Sequence, residues 1–218
     1  MMVTVVSKTN SILSKFVAQI RDKDIQLDSM RFRRNLERIG EVMAYEVSKT
    51  LDYKAVEVET PLGVSQMNVI EDQVVVATIM RAGVPFHNGV LNYFDDASSA
   101  FVSAYRKTHK SNVFEIKLEY VSCGSIEDKV LIIADPMLAT GSSIVLAYRA
   151  LCEKGGMPKH THIVAAIASE QGVEYVRKNL PNDDITIWTA ALDEELTSKS
   201  YIVPGIGDAG DLAYGDKL

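Results

Sequence analysis

Residues 130–143, VLIIADPMLATGSS, decide the fold of this chain. The run opens with five apolar residues, which is typical of a parallel strand that is buried on both faces. Asp135 and Pro136 end the strand, because proline has no N–H for a sheet and keeps the preceding residue out of helical conformations. Small residues follow at 139–143, and apolar residues then recur at helical spacing.

This order of strand, acidic turn, small-residue loop and helix predicts a phosphate-binding site. Unpaired N–H groups at a helix start attract anions, and ligands of open α/β sheets bind outside the carboxyl ends of the strands. We therefore expect a phosphorylated sugar, with its phosphate on the 139–143 loop and its hydroxyl groups facing Asp135. A serine nucleophile is not expected, because the second glycine of the G-x-S-x-G turn is absent.

Strand-like and helical patterns alternate through the middle of the chain. Apolar runs at 74–80, 100–105, 161–168 and 185–190 join the run at 130–134, with helical patterns between most of them. Such alternation indicates a parallel sheet with right-handed crossovers. The sequence therefore predicts an α/β fold with a parallel sheet of about five strands and helices on both faces.

We predict a single domain, residues 1–218, with three parts. Residues 1–72 hold N-terminal helices and a hairpin arm, 73–192 the core, and 193–218 a C-terminal hood loop. The second helix has an apolar face made of Phe32, Leu36, Ile39, Met43 and Val47. Either the core or another subunit must cover that face, and hairpin arms such as the one around Pro61 often reach a neighbouring subunit. Together these features predict a homodimer or a higher homo-oligomer.

Composition and charge argue against several classes of protein. A formal charge of −6 gives no basic field for nucleic acid or an anionic membrane. No apolar run approaches the roughly 20 residues that span a bilayer, and the first residues do not resemble a signal peptide. The cysteines, Cys123 and Cys152, are too few for a disulfide framework or a zinc set, so we expect free thiols and a cytoplasmic location.

Arg81 and Arg106 each follow a predicted strand, at the same sheet edge as Asp135. A surface arginine is usually only solvated, but two at corresponding strand ends suit a diphosphate, which guanidinium groups bind through paired hydrogen bonds. The polar excursion at 108–125 contains one more strand-like run, at 113–121, and is long for a connection in a compact domain. We predict that it forms a mobile flap.

The glycine-rich tail at 201–211 matches the dinucleotide pattern G-x-G-x-x-G only formally, because too little chain follows it for a βαβ unit. One interpretation is a closing turn without a ligand. The other is a loop whose N–H and C=O groups bind the edge of a flat heterocycle, which small residues allow to approach closely. His160 and His162 have no carboxylate or cysteine set beside them, so we expect surface positions rather than metal binding.

Several motifs resemble those of one enzyme family. The run at 130–143 is similar to the 5-phosphoribosyl 1-diphosphate motif of type I phosphoribosyltransferases, and its DPMLATG form is similar to that of the uracil phosphoribosyltransferase family. YIVPGIGDAGD, at 201–211, resembles the uracil-binding loop of that family. The resemblance covers most of the chain, because it extends to RDKD at 21–24, MRFRRN at 30–35, RAG at 81–83 and YRK at 105–107.

The resemblance implies a type I phosphoribosyltransferase fold and the reaction of uracil with 5-phosphoribosyl 1-diphosphate to give UMP and diphosphate. It implies Mg²⁺ that is bound mainly through the diphosphate, with no metal site of the protein's own. The implied catalytic residues are Asp135, Arg106 and Asp208. The implied ligands of 5-phosphoribosyl 1-diphosphate are Arg81, Arg106, Asp135, Pro136, Met137, Leu138, Ala139, Thr140, Gly141, Ser142, Ser143 and Asp208. The implied ligands of uracil are Ile202, Gly207, Asp208 and Ala209.

Two alternatives stay open on the sequence. The first is a regulator that keeps this fold to sense a nucleotide and binds RNA or a protein, which the acidic net charge disfavours. The second is the same chemistry on another base. Orotate has a carboxylate that needs a cation, whereas residues 201–216 contain none.

Overall fold

The structure is a computed structural model that describes residues 1–108, 114–181 and 183–216, with the backbone alone at 105–108 and 114–117. The helices in these ranges are α1 (Ile12–Arg21), α2 (Ser29–Ser48), α3 (Gly83–Leu91), α4 (Ser142–Gly155), α5 (Glu170–Asn179) and α6 (Ala209–Tyr214). The strands are β1 (Met2–Val5), β2 (Tyr53–Thr60), β3 (Gly63–Ile70), β4 (Val74–Met80), β5 (Ser98–Thr108), β6 (Phe114–Ser122), β7 (Val130–Ala134), β8 (Met137–Leu138), β9 (His160–Ser169), β10 (Ile185–Asp193), β11 (Glu195–Leu196) and β12 (Ile202–Val203). Short 3₁₀ helices lie at Val6–Lys8 and Ile25–Leu27.

The main sheet has the order β1-β10-β9-β7-β4-β5-β6, and β8 also pairs with β9. Every pair in it is parallel except β5 with β6. The predicted parallel strands are confirmed, but the sheet is larger than expected. The N-terminus contributes β1 at one edge, and β6 adds an antiparallel strand at the other edge.

Both faces of the central strands are covered. In β4, Val74 and Val76 pack with apolar residues of α1, α2 and α3, whereas Val75 and Ala77 pack with those of α4 and α5. β7 therefore buries all five of its residues and β4 all but Met80, which explains why the sequence shows unbroken apolar runs there. The prediction of helices on both faces is confirmed.

The apolar face of α2 is buried within the same chain. Its predicted residues are at most 1% exposed and pack in the core with α1 and α3: Phe32, Leu36, Ile39, Met43 and Val47. The N-terminus of this helix is capped by Asp28, whose Oδ1 accepts from the Arg31 N–H at 3.1 Å. Of the two partners considered for this face, the core is the correct one, so α2 no longer supports a subunit interface.

The hairpin arm consists of β2 and β3, which pair only with each other among the described strands. Lys159 holds its base, with Nζ 2.7 Å from Asp52 Oδ2 and 2.5 Å from Asp72 Oδ1. The pairing register puts Val56, Val58, Met67 and Val69 on one face of the arm. Three of these, Val58, Met67 and Val69, are exposed. The predicted arm is confirmed, and it presents an apolar face outside the core.

Much of the excursion predicted as a flap belongs to the sheet. β5 runs to Thr108, and β6 returns beside it with Phe114 opposite Thr108 and Ser122 opposite Phe101. The strand-like run expected at 113–121 is confirmed as β6, which main-chain pairing with β5 adds to the edge of the main sheet. Residues 109–113 lie outside the described part of the chain, and the mobility of the flap stays a prediction.

The C-terminal hood contains regular structure that was not expected. β11 and β12 pair with each other, and α6 follows Asp208. Asp208 Oδ1 caps this helix by accepting from the N–H groups of Gly210, at 2.9 Å, and Asp211, at 3.1 Å. The sequence shows no helical period in this tail, because the six residues of α6 are too few to display one. Among the described residues, none of the helices has the length and apolarity needed to span a membrane.

Candidate functional site

A cavity of about 880 Å³ lies where β4 and β7 end, beneath the hood. Its volume is within the roughly 300–1,000 Å³ typical of small-molecule sites. Predicted site residues from three separate parts of the chain line it: Arg81, Asp135, Pro136, Met137, Leu138, Ala139, Thr140, Gly141, Ser143, Gly207, Asp208 and Ala209. Ser142 and Ile202 are not among the lining residues. The Arg106 side chain lies outside the described part of the structure, although Ser103 and Ala104 of the same strand line the cavity.

The loop before α4 keeps its helix N-terminus open. Gly141 is the N-cap residue with φ +79°, and no side chain caps the helix, whereas Ser11, Asp28, Ser169 and Asp208 cap α1, α2, α5 and α6. A Cβ at Gly141 would lie 2.6 Å from the carbonyl oxygen of Gly172, so this turn needs a glycine. The Ser142 N–H lies 3.4 Å from Thr140 Oγ1, and the N–H groups that follow it in the first turn of α4 remain available to a phosphate.

Hydroxyl groups hold the same loop in shape. Thr140 Oγ1 and Ser142 Oγ form a hydrogen bond of 2.6 Å. Ser142 therefore contributes to the shape of the loop although it does not line the cavity. Ser169 Oγ donates to the carbonyl of Ala139 at 2.5 Å and accepts from the N–H of Gly172 at 2.9 Å. This role of Ser169 was not predicted from the sequence. The available signal was a serine directly before a helical pattern, which is typical of an N-cap.

Met137 and Leu138 form a short strand just before the phosphate loop. They make up β8, which pairs with Ile167 and Ala168 of β9. Leu138 is 1% exposed and packs in the core on the side of α4 and α5. No strand was predicted at these two positions, which attach the phosphate loop to the sheet.

Asp135 stands at the end of β7 on the cavity wall. The N–H of Met137 donates to its Oδ1 at 3.3 Å. Burial raises the pKa of the Asp135 carboxyl to about 7, and the Met137 hydrogen bond opposes this rise only weakly. A carboxyl with a pKa near the working pH, on the wall of a large cavity, is a mark of a functional site.

Arg81 is already paired. Its Nη2 lies 2.8 Å from Asp211 Oδ1, and its Nη1 donates to the carbonyl of Gly215 at 3.1 Å. The Nε atom is buried and has no hydrogen-bond partner among the described residues. The sequence predicted a role for Arg81 in binding the diphosphate, but its acidic partner Asp211 was not predicted.

The hood offers main-chain groups to the cavity. Gly207 has φ +81°, and no atom lies within 4 Å of an added Cβ, so its backbone is open on that side. Ala209 begins α6 and also lines the cavity. Ile202, by contrast, is buried in β12 opposite Leu196 and away from the cavity lining. Its predicted contact with the base stays a prediction.

The hood is held by an ion pair that was not predicted from the sequence, between Arg21 and Asp193. Arg21 makes two hydrogen bonds with the carboxylate of Asp193, at 2.7 and 2.8 Å. The same two side chains bind both main-chain polar groups of Gly205, because Arg21 Nη1 donates to its carbonyl and Asp193 Oδ2 accepts from its N–H, each at 3.0 Å. The cavity is also lined by three residues that were not predicted from the sequence: Lys199, Ser200 and Tyr201.

His160 and His162 are not among the residues that line the cavity. His162 is only 3% exposed, so its predicted surface position was wrong. Trp188 Nε1 donates to its Nδ1 at 3.1 Å, and burial lowers the pKa of His162 to about 3. His162 is therefore a neutral core residue. Within the described residues, no group of three or more histidine, cysteine or acidic side chains could hold a metal ion.

Comparison with known proteins identifies the family. The family model described as uracil phosphoribosyltransferase matches residues 6–216. A uracil phosphoribosyltransferase from Porphyromonas gingivalis is 58% identical over 209 residues, which are 96% of each chain. One from Pyrococcus furiosus is 39% identical over 210 residues, covering 94% of this chain and 87% of the relative. The solved structure of the AQ2163 protein from Aquifex aeolicus matches with a TM-score of 0.86 and 28% identity, and covers 98% of both chains. The chain belongs to the uracil phosphoribosyltransferase family.

Proposed function

We propose that this chain transfers the 5-phosphoribosyl group of 5-phosphoribosyl 1-diphosphate to uracil, which gives UMP and diphosphate. The observation that carries the proposal is the cavity shared by the open start of α4, Asp135 and the glycine-rich hood. Membership in the uracil phosphoribosyltransferase family supports the same activity. The regulator that binds RNA or a protein has no comparable support.

The substrate's 5-phosphate is assigned to the loop from Ala139 to Ser143. The N-cap residue Gly141 makes no side-chain cap, and only the Ser142 N–H contacts a side chain, Thr140 Oγ1 at 3.4 Å. The helix dipole also favours negative charge at that end. Ser169 and the pair of Thr140 with Ser142 keep the loop in this conformation before the substrate arrives. The ribose then extends from the loop toward Asp135 at the end of β7.

The difficult step is the breaking of the bond between C1 of the ribose and the diphosphate. Positive charge develops on the ribose and negative charge on the leaving group. We assign the diphosphate to Arg81 and Arg106 and the ribose hydroxyl groups to Asp135. Charged groups that are held in place before the reaction lower such a barrier, because they need no reorganisation when the charge develops.

Asp208 is assigned to the ribose as well as to the hood. Its Oδ1 is occupied by the two N–H groups of the helix cap, whereas Oδ2 takes part in neither bond. Asp208 also lines the cavity, so Oδ2 can accept a hydrogen bond from the ribose or from a water bound to a metal ion. One carboxylate therefore shapes the base-binding loop and contacts the substrate.

Mg²⁺ is proposed to enter with the diphosphate. This ion prefers oxygen ligands, keeps several waters and usually needs only one or two carboxylates besides the substrate phosphates. Asp135 and Asp208 both line the cavity and are suitable ligands, directly or through water. When bound, Mg²⁺ neutralises negative charge on the departing diphosphate.

Uracil is assigned to the main chain of Gly207 and Ala209, with Ile202 kept as a predicted third contact. Uracil presents acceptor, donor and acceptor along the edge O2, N3 and O4. Backbone groups can match that order and cannot rotate to match another. The open backbone at Gly207 permits the close approach that such recognition requires.

The assembly is proposed to be a homodimer or a higher homo-oligomer. This proposal now depends on the apolar face of the arm, because α2 buries its own apolar face inside the chain. A single two-stranded hairpin is only marginally stable in water, so a surface that covers it is expected. Cys123 and Cys152 are both free thiols, as predicted, and they agree with the proposed cytoplasmic location.

An assay of UMP formation tests the proposed function. Purified protein with labelled uracil, 5-phosphoribosyl 1-diphosphate and Mg²⁺ is expected to form UMP and diphosphate in equal amounts. Omission of 5-phosphoribosyl 1-diphosphate, or chelation of Mg²⁺, should abolish the product. Folded protein that consumes neither substrate would overturn the proposal.

A further inference from the structure

Arg81 links the two ends of the cavity. Its guanidinium follows β4, on the side assigned to the diphosphate. It contacts Asp211 of α6 through Nη2 at 2.8 Å and the carbonyl of Gly215, which ends α6, through Nη1 at 3.1 Å. One side chain therefore joins the diphosphate loop to the helix that follows the base-binding residues.

The ion pair between Arg81 and Asp211 contributes little to the folding stability of the protein. Both side chains are 34% exposed, and ion pairs with that exposure contribute little to stability. α6 also has other attachments. Arg33 Nη1 donates to the carbonyl of Ala213 at 2.6 Å, and Asp208 caps the first turn. The contact between Arg81 and Asp211 therefore matters more for the position of the guanidinium than for the stability of α6.

The Arg81 guanidinium still has N–H donors for a ligand while it binds Asp211 and Gly215. It has five N–H donors, and one each from Nη1 and Nη2 bind Gly215 and Asp211. Its Nε–H is buried without a partner in the described part of the chain, which is a costly state for a charged donor. Arg81 also lines the cavity. An anion in the cavity can accept from the Nη N–H groups that remain, because the Arg81 side chain is partly exposed, and a diphosphate has several oxygens for this purpose.

We propose that Asp211 is a positioning residue for the diphosphate. It fixes the plane of the Arg81 guanidinium at the cavity wall, so that the donors left over already point to where the diphosphate binds. A flexible arginine loses side-chain freedom when it binds a ligand, and holding it in place beforehand removes that cost from the binding step. The inference rests on the proposed function, because that function assigns the diphosphate to Arg81.

The test is a double-mutant cycle with Asp211→Asn, Arg81→Gln and the double variant, using magnesium diphosphate as the probe in calorimetry. Asp211→Asn is expected to bind the probe about tenfold more weakly than wild type, and to change nothing further in the Arg81→Gln background. In turnover, KM for 5-phosphoribosyl 1-diphosphate should rise by the same factor, with kcat within about twofold of wild type. Asp216→Asn removes the same charge from the same segment and should bind the probe normally. Asp211→Glu keeps the charge and should recover most of the affinity.

Each outcome is informative. Unchanged affinity in Asp211→Asn, or additive losses in the double variant, would overturn the inference. Tighter binding would also overturn it, because it would make Asp211 a competitor of the diphosphate rather than a support for Arg81. If Asp211→Asn unfolds, a failure of Asp211→Glu to bind better than Asp211→Ala counts against the inference. A wild-type protein that binds the probe but forms no UMP would instead overturn the proposed function alone.

Discussion

Ser169 Oγ lies 2.5 Å from the carbonyl oxygen of Ala139, and this bond joins the end of β9 to the phosphate loop. The same hydroxyl accepts from the N–H of Gly172 at 2.9 Å and so caps α5. One hydroxyl therefore serves both a helix N-terminus and the loop that binds the substrate phosphate in our account.

Ser169→Ala should weaken the enzyme in two separable ways. Loss of the cap should cost about 1 kcal/mol of unfolding free energy. Loss of the bond to Ala139 should loosen the loop and raise KM for 5-phosphoribosyl 1-diphosphate by about tenfold. Denaturant unfolding and steady-state kinetics measure the two effects. Ser11→Ala removes the equivalent cap of α1, away from the cavity, and should cost similar stability with an unchanged KM. Equal effects of both variants on KM would refute this role of Ser169.

Asp135→Asn should abolish activity without harming the fold. Burial raises the pKa of Asp135 from 3.8 to about 7, so the native state binds a proton between these values that the unfolded state has released. This carboxyl therefore makes the native state less stable as pH rises from about 4 to about 7. The variant should be at least as stable as wild type at about pH 8, with the difference shrinking toward about pH 4, while UMP formation falls by at least about 100-fold. A variant that loses activity only in proportion to its folded fraction would show a structural role instead.

His162 should make the protein sensitive to acid. Burial lowers its pKa from 6.5 to about 3, His160 lowers it further, and Asp72 opposes the shift. Between about pH 3 and pH 6.5 the unfolded state binds a proton at His162 that the native state does not. The free energy of unfolding therefore falls as pH decreases below about 6.5, by about 1.4 kcal/mol per pH unit. Denaturant unfolding of wild type and His162→Gln at several pH values measures this contribution. The variant should show the weaker pH dependence, and equal slopes would contradict the prediction.

Met67→Glu should separate the subunits of the proposed oligomer. Met67 is exposed on the apolar face of the arm, and a charge there cannot be buried against a partner without a large desolvation cost. Light scattering at micromolar concentration should show a dimer or larger for wild type and a smaller species for the variant. Asn68→Glu adds the same charge to the opposite face and should leave the assembly intact. A wild-type monomer would refute the oligomer.

The parts of the fold that the sequence could predict are those with a local cause. β7 is a run of five residues buried on both faces, and the turn at Asp135 and Pro136 is determined by its own residues. β1 could not be predicted, because four residues become a strand only by pairing with β10, which is distant in sequence. α6 depends on its cap and on the hydrogen bond from Arg33 to Ala213.

The same distinction holds for the candidate site. Residues 135–143 are adjacent in sequence, so their order alone indicated a phosphate loop. The partner of Arg81 is Asp211, 130 residues further along the chain, and no local pattern connects them. The pair of Arg21 with Asp193 could not be predicted for the same reason, because the two residues are 172 positions apart. Long-range side-chain pairs are therefore what the structure adds to the sequence.

The choice of base tests the central claim most directly, because it requires both the transfer reaction and recognition by the hood. The measurement is kcat/KM for uracil and for cytosine, in wild type and in Gly207→Val. Cytosine reverses the donor and acceptor at N3 and at its exocyclic amine, so fixed main-chain groups would be left unpaired, and uracil should be preferred by roughly 10⁴ or more. Gly207 has φ +81°, which valine rarely adopts, so Gly207→Val should weaken uracil use and leave the binding of 5-phosphoribosyl 1-diphosphate nearly unchanged. Comparable use of cytosine by the wild type, or unchanged uracil kinetics in Gly207→Val, would contradict the account.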